Sequence, residues 1–192
     1  IYHPNYRGLM LRRNVKDLDD FIQKALIMYK PYGGRLVDDQ FRFPSGAVID
    51  CGHMRDRESW QRYLGIEFHR IVIEEASILP DEDAFMRLRS RCRSSQPELV
   101  PQIMITSNAG GPLTSFLIDR YFEAKDANGE IIPPGQTIYE EVTNPITNKK
   151  TATTRVFLFS TVRDNPYLAN TDYVLNLATL SDKDRRAFLE GD

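Results

Sequence analysis

The sequence predicts an α/β fold, a mostly parallel sheet with helices on both faces, and three observations lead there. Four short runs, Leu9 to Leu11, Ile71 to Ile73, Ile103 to Ile105 and Val156 to Phe159, are apolar at nearly every position, as strands buried on both faces are. Helical periodicity fills much of the chain between them, and parallel strands need such crossovers. Polar residues follow the strands directly, where ligands of open parallel sheets bind.

The first run, Gly8 to Leu11, ends in Arg12-Arg13, and Asn14 then stands as an N-cap before Leu18, Phe21, Ile22, Ala25, Leu26 and Tyr29. That spacing describes a helix with one buried face. Pro31 and Gly33-Gly34 end it. Gln40 to Met54 alternates about a Pro44-Ser45-Gly46 turn and predicts a small hairpin inserted beside the main sheet. Arg55 to Leu64 reads as a short polar helix, and the strand Arg70 to Ile73 follows. A helix over Glu82 to Arg93 would place Phe85, Leu88 and Cys92 on one face. The strand Gln102 to Ile105 ends in Thr106-Ser107-Asn108 and leads through Gly110-Gly111-Pro112 to a helix reaching about Phe122. After a Gly/Pro/Asp/Asn loop, Thr137 to Val142 pairs with Thr153 to Phe159 around the Asn144 to Lys150 turn. Helices over Thr171 to Thr179 and Asp182 to Leu189, the latter capped by Ser181, come last.

With 192 residues, 41% hydrophobic and 27% charged, the chain suits one globular domain with a sizeable core. A net charge of -2 gives no global attraction to nucleic acid, so any such contact must be local. Cys51 and Cys92 are far apart and form no C-x-x-C pair, which argues against a disulfide framework or a zinc site and favours a reducing compartment. No apolar run approaches the roughly 18 residues of a membrane span, and no basic-then-apolar leader opens the sequence. A soluble, unsecreted protein with no membrane partner is expected. The first residue is Ile1, which favours a chain cut from a longer polypeptide.

The strand around Ile71 to Ile73 ends in two adjacent carboxylates, Glu74-Glu75, which is the form of a Walker B acidic pair. In phosphoryl transfer, Glu74 would hold Mg²⁺ through water and Glu75 would orient or deprotonate the attacking water. Asn108 would sense the γ-phosphate or that water. The same pair also suits a helix start, where acidic residues favour the dipole. No Gly-x-x-x-x-Gly-Lys-Ser/Thr loop occurs in the chain.

The order of motifs is more specific than any one of them. Leu11-Arg12-Arg13, the acidic strand end, Ile105 to Pro112, Arg163-Asp164-Asn165-Pro166-Tyr167-Leu168 and the run Arg185 to Asp192 together resemble the ATPase domain of the large terminase subunit of tailed bacteriophages. The resemblance covers Tyr6 to Asp192. It implies a sheet of the P-loop NTPase (ASCE) type, incomplete at its N-terminal strand, with residues 1–192 forming one partial ATPase domain and no nuclease domain. The Walker A strand, loop and helix would lie just before Tyr6, and the missing strand would run centrally between the Ile103 and Val156 strands. A poorly stable or aggregating isolated chain without ATP affinity is therefore expected.

Carried over residue by residue, the resemblance puts Glu74 at the Mg²⁺-binding acidic position, Glu75 at the catalytic glutamate and Ser107-Asn108 on the motif that couples hydrolysis to movement. Arg12 and Arg13 fall at the periphery of the nucleotide site. Glu74 departs from the Asp frequent at its position, which moves the carboxylate relative to the metal. Arg62, thirteen positions before Glu75, is a candidate for the arginine that reaches a neighbouring subunit's nucleotide, and a solvated surface arginine is the competing reading. The implied cofactor and substrate are Mg²⁺ and ATP. The implied partners are duplex DNA, the portal, the small terminase subunit and other copies in a ring, in the host cytoplasm.

Weaker signals compete with these. Arg87, Arg89, Arg91 and Arg93 could touch DNA phosphates, but spacing of two spreads them around a helix and favours a solvated or internally paired face. His3, His53 and His69 lack metal-ligand spacing. Two alternatives to the motor remain: a catalytically inert fragment or interaction module, and a helicase-like NTPase of another lineage.

Overall fold

The computed structural model describes residues 1–108, 110–168 and 171–189. It divides into two compact units, Ile1–Leu113 and Thr114–Asp192.

The first unit is built on a six-stranded sheet in the order β2-β3-β4-β1-β5-β6. Its strands are β1 (Arg7–Arg12), β2 (Arg35–Val37), β3 (Gln40–Arg42), β4 (Val48–His53), β5 (Arg70–Ile73) and β6 (Gln102–Ile105). Strand β1 lies between β4 and β5, parallel to both, and β6 is parallel to β5. The predicted Gln40 to Met54 hairpin is continuous with this sheet, because β4 pairs with β1 on one side and antiparallel with β3 on the other. Strand β2, which the sequence pattern did not reveal, adds antiparallel to β3 through a turn at Asp38 and Asp39, both at positive φ.

Alternation along the strands sorts side chains onto two covered faces. On one, Phe41, Ile49 and Cys51 meet helix α1 (Asp19–Tyr29) through Phe21, Ile22, Ala25 and Tyr29, with Phe41 and Ala25 buried. Asn14 begins this segment as predicted, its N–H donating to Asp17 at 3.1 Å, although a 3-10 turn, Val15–Leu18, precedes the α-helix. On the other face Leu9, Leu11, Ile71 and Ile73 are fully buried. Tyr63, from the 3-10 turn Ser59–Tyr63, covers Gly52 there so closely that an added Cβ would lie 2.4 Å from its hydroxyl. Helix α2 (Glu82–Arg89) packs with that turn and is capped by Asp81, which accepts from the Ala84 N–H at 2.8 Å.

Two sequence expectations change here. Helix α2 stops at Arg89 instead of Arg93, since Phe68 and Cys92 form a parallel bridge, with Phe68 N–H donating to Arg91 O and Arg93 N–H to Phe68 O, both at 3.0 Å. Tertiary backbone pairing there overrides helical periodicity. The arginine run is in part internally paired: Arg87 donates to Asp83 at 2.6 Å and lies over the Trp60 ring, and Arg93 is 3.8 Å from Glu67. At the far side of the sheet β6 forms an edge, and its Met104 is 54% exposed.

The second unit contains α3 (Thr114–Leu117) running into a π-helical turn (Ile118–Phe122), then β7 (Thr137–Thr143), β8 (Lys150–Val156), α4 (Asp172–Ala178) and α5 (Asp182–Leu189). Strands β7 and β8 form an antiparallel hairpin of their own. Phe157 to Phe159, expected within a parallel strand, lie beyond the end of β8 and belong to no strand. A hairpin closes a short loop, whereas a parallel strand must find a distant neighbour, so the local pairing takes Lys150 to Val156 and stops before Phe157. Residues 190–192 of the closing motif lie outside the described residues. No helix among the described residues is long and apolar enough to cross a membrane.

Candidate active site

Strands β1, β5 and β6 end side by side, so residues far apart in sequence meet at one edge of the first unit. The ladder holds them in step: Glu74 N–H donates to Leu11 O at 3.0 Å and Thr106 N–H to Ile73 O at 2.9 Å. Arg12 leaves β1 and donates through Nε to Glu74 Oε2 at 2.8 Å, while another guanidinium nitrogen donates to Asp17 O at 2.7 Å. Its third nitrogen stands 3.6 Å from Glu75 Oε1. One arginine, 19% exposed, thus faces both carboxylates, which remain 37% and 46% exposed.

Glu75 occupies the left-handed region, φ 55° and ψ 49°. For a residue with a Cβ this costs about 1–2 kcal/mol, and the surrounding hydrogen bonds hold it there. Ala76 N–H donates to Thr106 O at 2.9 Å, and Ser77 N–H to Ser107 Oγ at 3.2 Å. The acidic pair therefore opens a 3-10 turn, Ala76–Ile78, instead of an α-helix. Arg13 braces the same turn from the other side, donating to Ile78 O at 3.0 Å.

The loop after β6 is fastened to this turn. Leu113 N–H donates to Ser77 O at 2.9 Å. Gly111, at φ +124°, passes so close that a Cβ would sit 2.4 Å from that oxygen. Ser107 also donates to Asn108 O at 3.1 Å, and both residues are exposed.

One strand further, His53 ends β4 opposite Arg12 in the ladder, and Arg62 reaches it, with a guanidinium nitrogen 2.8 Å from Nε2. Arginine can only donate, so Nε2 accepts and the ring is neutral with its proton on Nδ1. Burial, and then the Arg62 charge, lower the His53 pKa below its ordinary value. Nearby, burial pushes the Cys51 thiol up to about 12, which leaves it protonated and unreactive at neutral pH.

Of the residues singled out in the sequence, Arg12, Glu74, Glu75 and Ser107 form one connected cluster. Arg13 supports it through the backbone, Asn108 adjoins it, and Arg62 lies on the same end of the sheet beside His53. Sequence reasoning missed Gly111 as a contact and His53 as a neighbour. The Gly110-Gly111-Pro112 signal marked a loop without showing what it touched.

Among the described residues no group of three or more His, Cys, Asp or Glu side chains converges on a metal position. Magnesium does not require one, since it commonly uses one or two carboxylates and completes its shell with water and substrate phosphates. Arg12 engages Oε2 of Glu74 and the side chain is 37% exposed, so a hydrated ion can reach its other oxygen.

No protein-family model matches the sequence, and no curated protein matches it significantly. Solved structures do. A large terminase from a thermophilic bacteriophage, in a complex with ADP, aligns over 97% of this chain with a TM-score of 0.62 at 16% identity. The large terminase ATPase domain of Thermus phage P74-26, in a mutant form, aligns over 98% of it with a TM-score of 0.56 at 10% identity. The fold is that of a large terminase ATPase domain. The chain spans 40% of the ADP-bound terminase and 77% of the Thermus phage domain. Within this terminase fold the resemblance first drawn from motif order is matched by architecture, through a mostly parallel sheet with helices on both faces.

Proposed function

We propose that the chain is the hydrolytic part of the ATPase of a DNA-packaging terminase, a motor that moves duplex DNA into a procapsid. The observation that carries this reading is the acidic pair Glu74 and Glu75 at the β5 end, flanked by Arg12 on β1 and by Ser107 and Asn108 just after β6. Glu75 acts as the base that orients and deprotonates the attacking water, and its left-handed backbone fixes where the carboxylate begins. Glu74 holds Mg²⁺, which when bound neutralises charge on the phosphates. Arg12 keeps the two carboxylates from repelling each other and sets their spacing. The β6 loop senses the γ-phosphate at Asn108 and transmits the change through Ser107 and Gly111.

Hydrolysis in this reading needs a Gly-rich phosphate-binding loop, whose backbone N–H groups supply most phosphate affinity. The β6 edge, with Met104 exposed, suits a further strand that carries one. Arg62 reaches a neighbouring copy's nucleotide in an oligomeric ring, and the portal and small terminase subunit are the assembly partners in the host cytoplasm.

The test is Glu75→Gln in the full protein, measured for steady-state ATP hydrolysis and for ATP binding. Turnover is expected to vanish while affinity is kept. Turnover close to that of the unsubstituted protein moves the base elsewhere and removes the main support for the motor.

A further inference from the structure

Among the described residues the hairpin of β7 and β8 is anchored at its base. Ile138 is buried there, and Glu140 accepts from Arg120 at 3.1 Å and from Arg155. Beyond that anchor every residue from Glu141 to Ala152 is exposed, and Ile146 near the tip is 90% exposed. An isoleucine in that position contributes no burial to the fold.

Hydrogen bonds nevertheless shape the tip into a turn. Asn144 Oδ1 accepts the N–H groups of Ile146 at 2.8 Å and Thr147 at 3.0 Å. Asn148, at φ 54°, donates its N–H to Asn144 O at 2.9 Å, and Asn144 N–H donates to Lys149 O at 2.9 Å. This turn places Pro145 and Ile146 at the tip. Between Val142 and Thr154 the only ionisable side chains are Lys149 and Lys150. Lys150 pairs with Glu141 at 2.8 Å, both ends well exposed, and Lys149 has no ion pair among the described residues. Threonines 143, 147 and 151 and the two asparagines surround them with neutral donors.

An apolar wedge between cations and hydroxyls matches a nucleic-acid groove, whose neutral floor lies between two anionic rails. An acidic protein segment would match the lysines alone. Two strands about 4.8 Å apart fit a major groove roughly 12 Å wide, where apolar side chains can meet the thymine methyl groups.

We propose that this ribbon is a duplex-DNA contact, in which Lys149 and Lys150 lie against phosphates and Pro145-Ile146 enters the groove. The identity of the partner rests on the packaging-motor reading. The experiment is an anisotropy titration of the full protein with a mixed-sequence duplex over a range of salt concentrations, for the unsubstituted protein, Lys149→Ala and Ile146→Ala. Lys149→Ala is expected to reduce the salt slope by about one. Ile146→Ala is expected to weaken binding roughly tenfold at every salt concentration with the slope unchanged. Unaltered affinity and slope in both variants overturn the ribbon, as does lost affinity for an acidic protein with DNA binding intact, or no duplex binding by the unsubstituted protein. Ribbon-dependent DNA binding by a protein that does not hydrolyse ATP removes the motor and leaves the ribbon standing.

Discussion

Arg12 and Glu74 are joined at 2.8 Å across the ends of two adjacent parallel strands, 62 residues apart in sequence. The same guanidinium ties the chain at Asp17 O, so it holds a carboxylate and a helix entry together. Replacing it leaves two neighbouring carboxylates without their counter-charge. Arg12→Ala is expected to lower stability by about 1–2 kcal/mol and to suppress ATP turnover in the full protein. A urea midpoint and a turnover rate both equal to those of the unsubstituted protein would refute this.

Glu75 lies where glycine is preferred, so with the role proposed for it function and stability conflict at this position. Glu75→Gly relieves the left-handed strain but loosens the unfolded chain, and the two effects partly cancel. The expected outcome is a protein no less stable, by up to about 1 kcal/mol more so, with no hydrolysis. Thermal melts showing a clear loss of stability would mean that the Glu75 side chain itself supports the fold.

Gly111 and Gly110 separate crowding from backbone strain. Both have positive φ, but only at Gly111 would a Cβ strike the Ser77 carbonyl, while at Gly110 it meets nothing within 4 Å. Gly111→Ala should cost more than about 2 kcal/mol, and Gly110→Ala about 1 kcal/mol. Equal losses in chemical denaturation would show that the contact with Ser77 does not constrain the loop.

His53 gives a pH dependence with a definite sign. Its pKa in the fold is lowered from 6.5 by burial and by Arg62, so the unfolded chain takes up the proton first. The stability this represents is present above pH 6.5 and is lost as pH falls below it. Arg62→Gln removes the nearby charge and is expected to raise the His53 pKa, read from its ring protons by NMR. An unmoved titration would place the guanidinium away from the ring in solution.

How much of this was legible in the sequence depended on whether the cause was local. Strands β1 and β5 were readable because their central residues are covered on both faces, β6 because its Ile103 to Ile105 run is apolar even though Met104 is exposed, and α1 because one face is covered. The acidic pair and Ser107 were readable because they follow such strands. Strand β2 was not, since three residues with one inward side chain, Leu36, carry no periodicity. The early end of α2 was decided by the pairing of Phe68 with Cys92, and the expected parallel strand was lost because Val156 pairs within the hairpin. The Arg62 and His53 contact and the fit of Gly111 against Ser77 join segments whose separation in sequence gives no hint of proximity.

Strand β1 has a consequence for when this unit can form during synthesis. It is made before both of its neighbours: Arg7 waits 43 residues for Asp50 on β4, and Arg12 waits 62 for Glu74 at the end of β5. Until β4 and β5 are made, Leu9 and Leu11 lack the two strands that flank them in the sheet, and exposed apolar surface of that kind is what chaperones bind and what aggregates. The sheet closes around β1 only once β5 has emerged, and the two glutamates arrive with the strand that closes it.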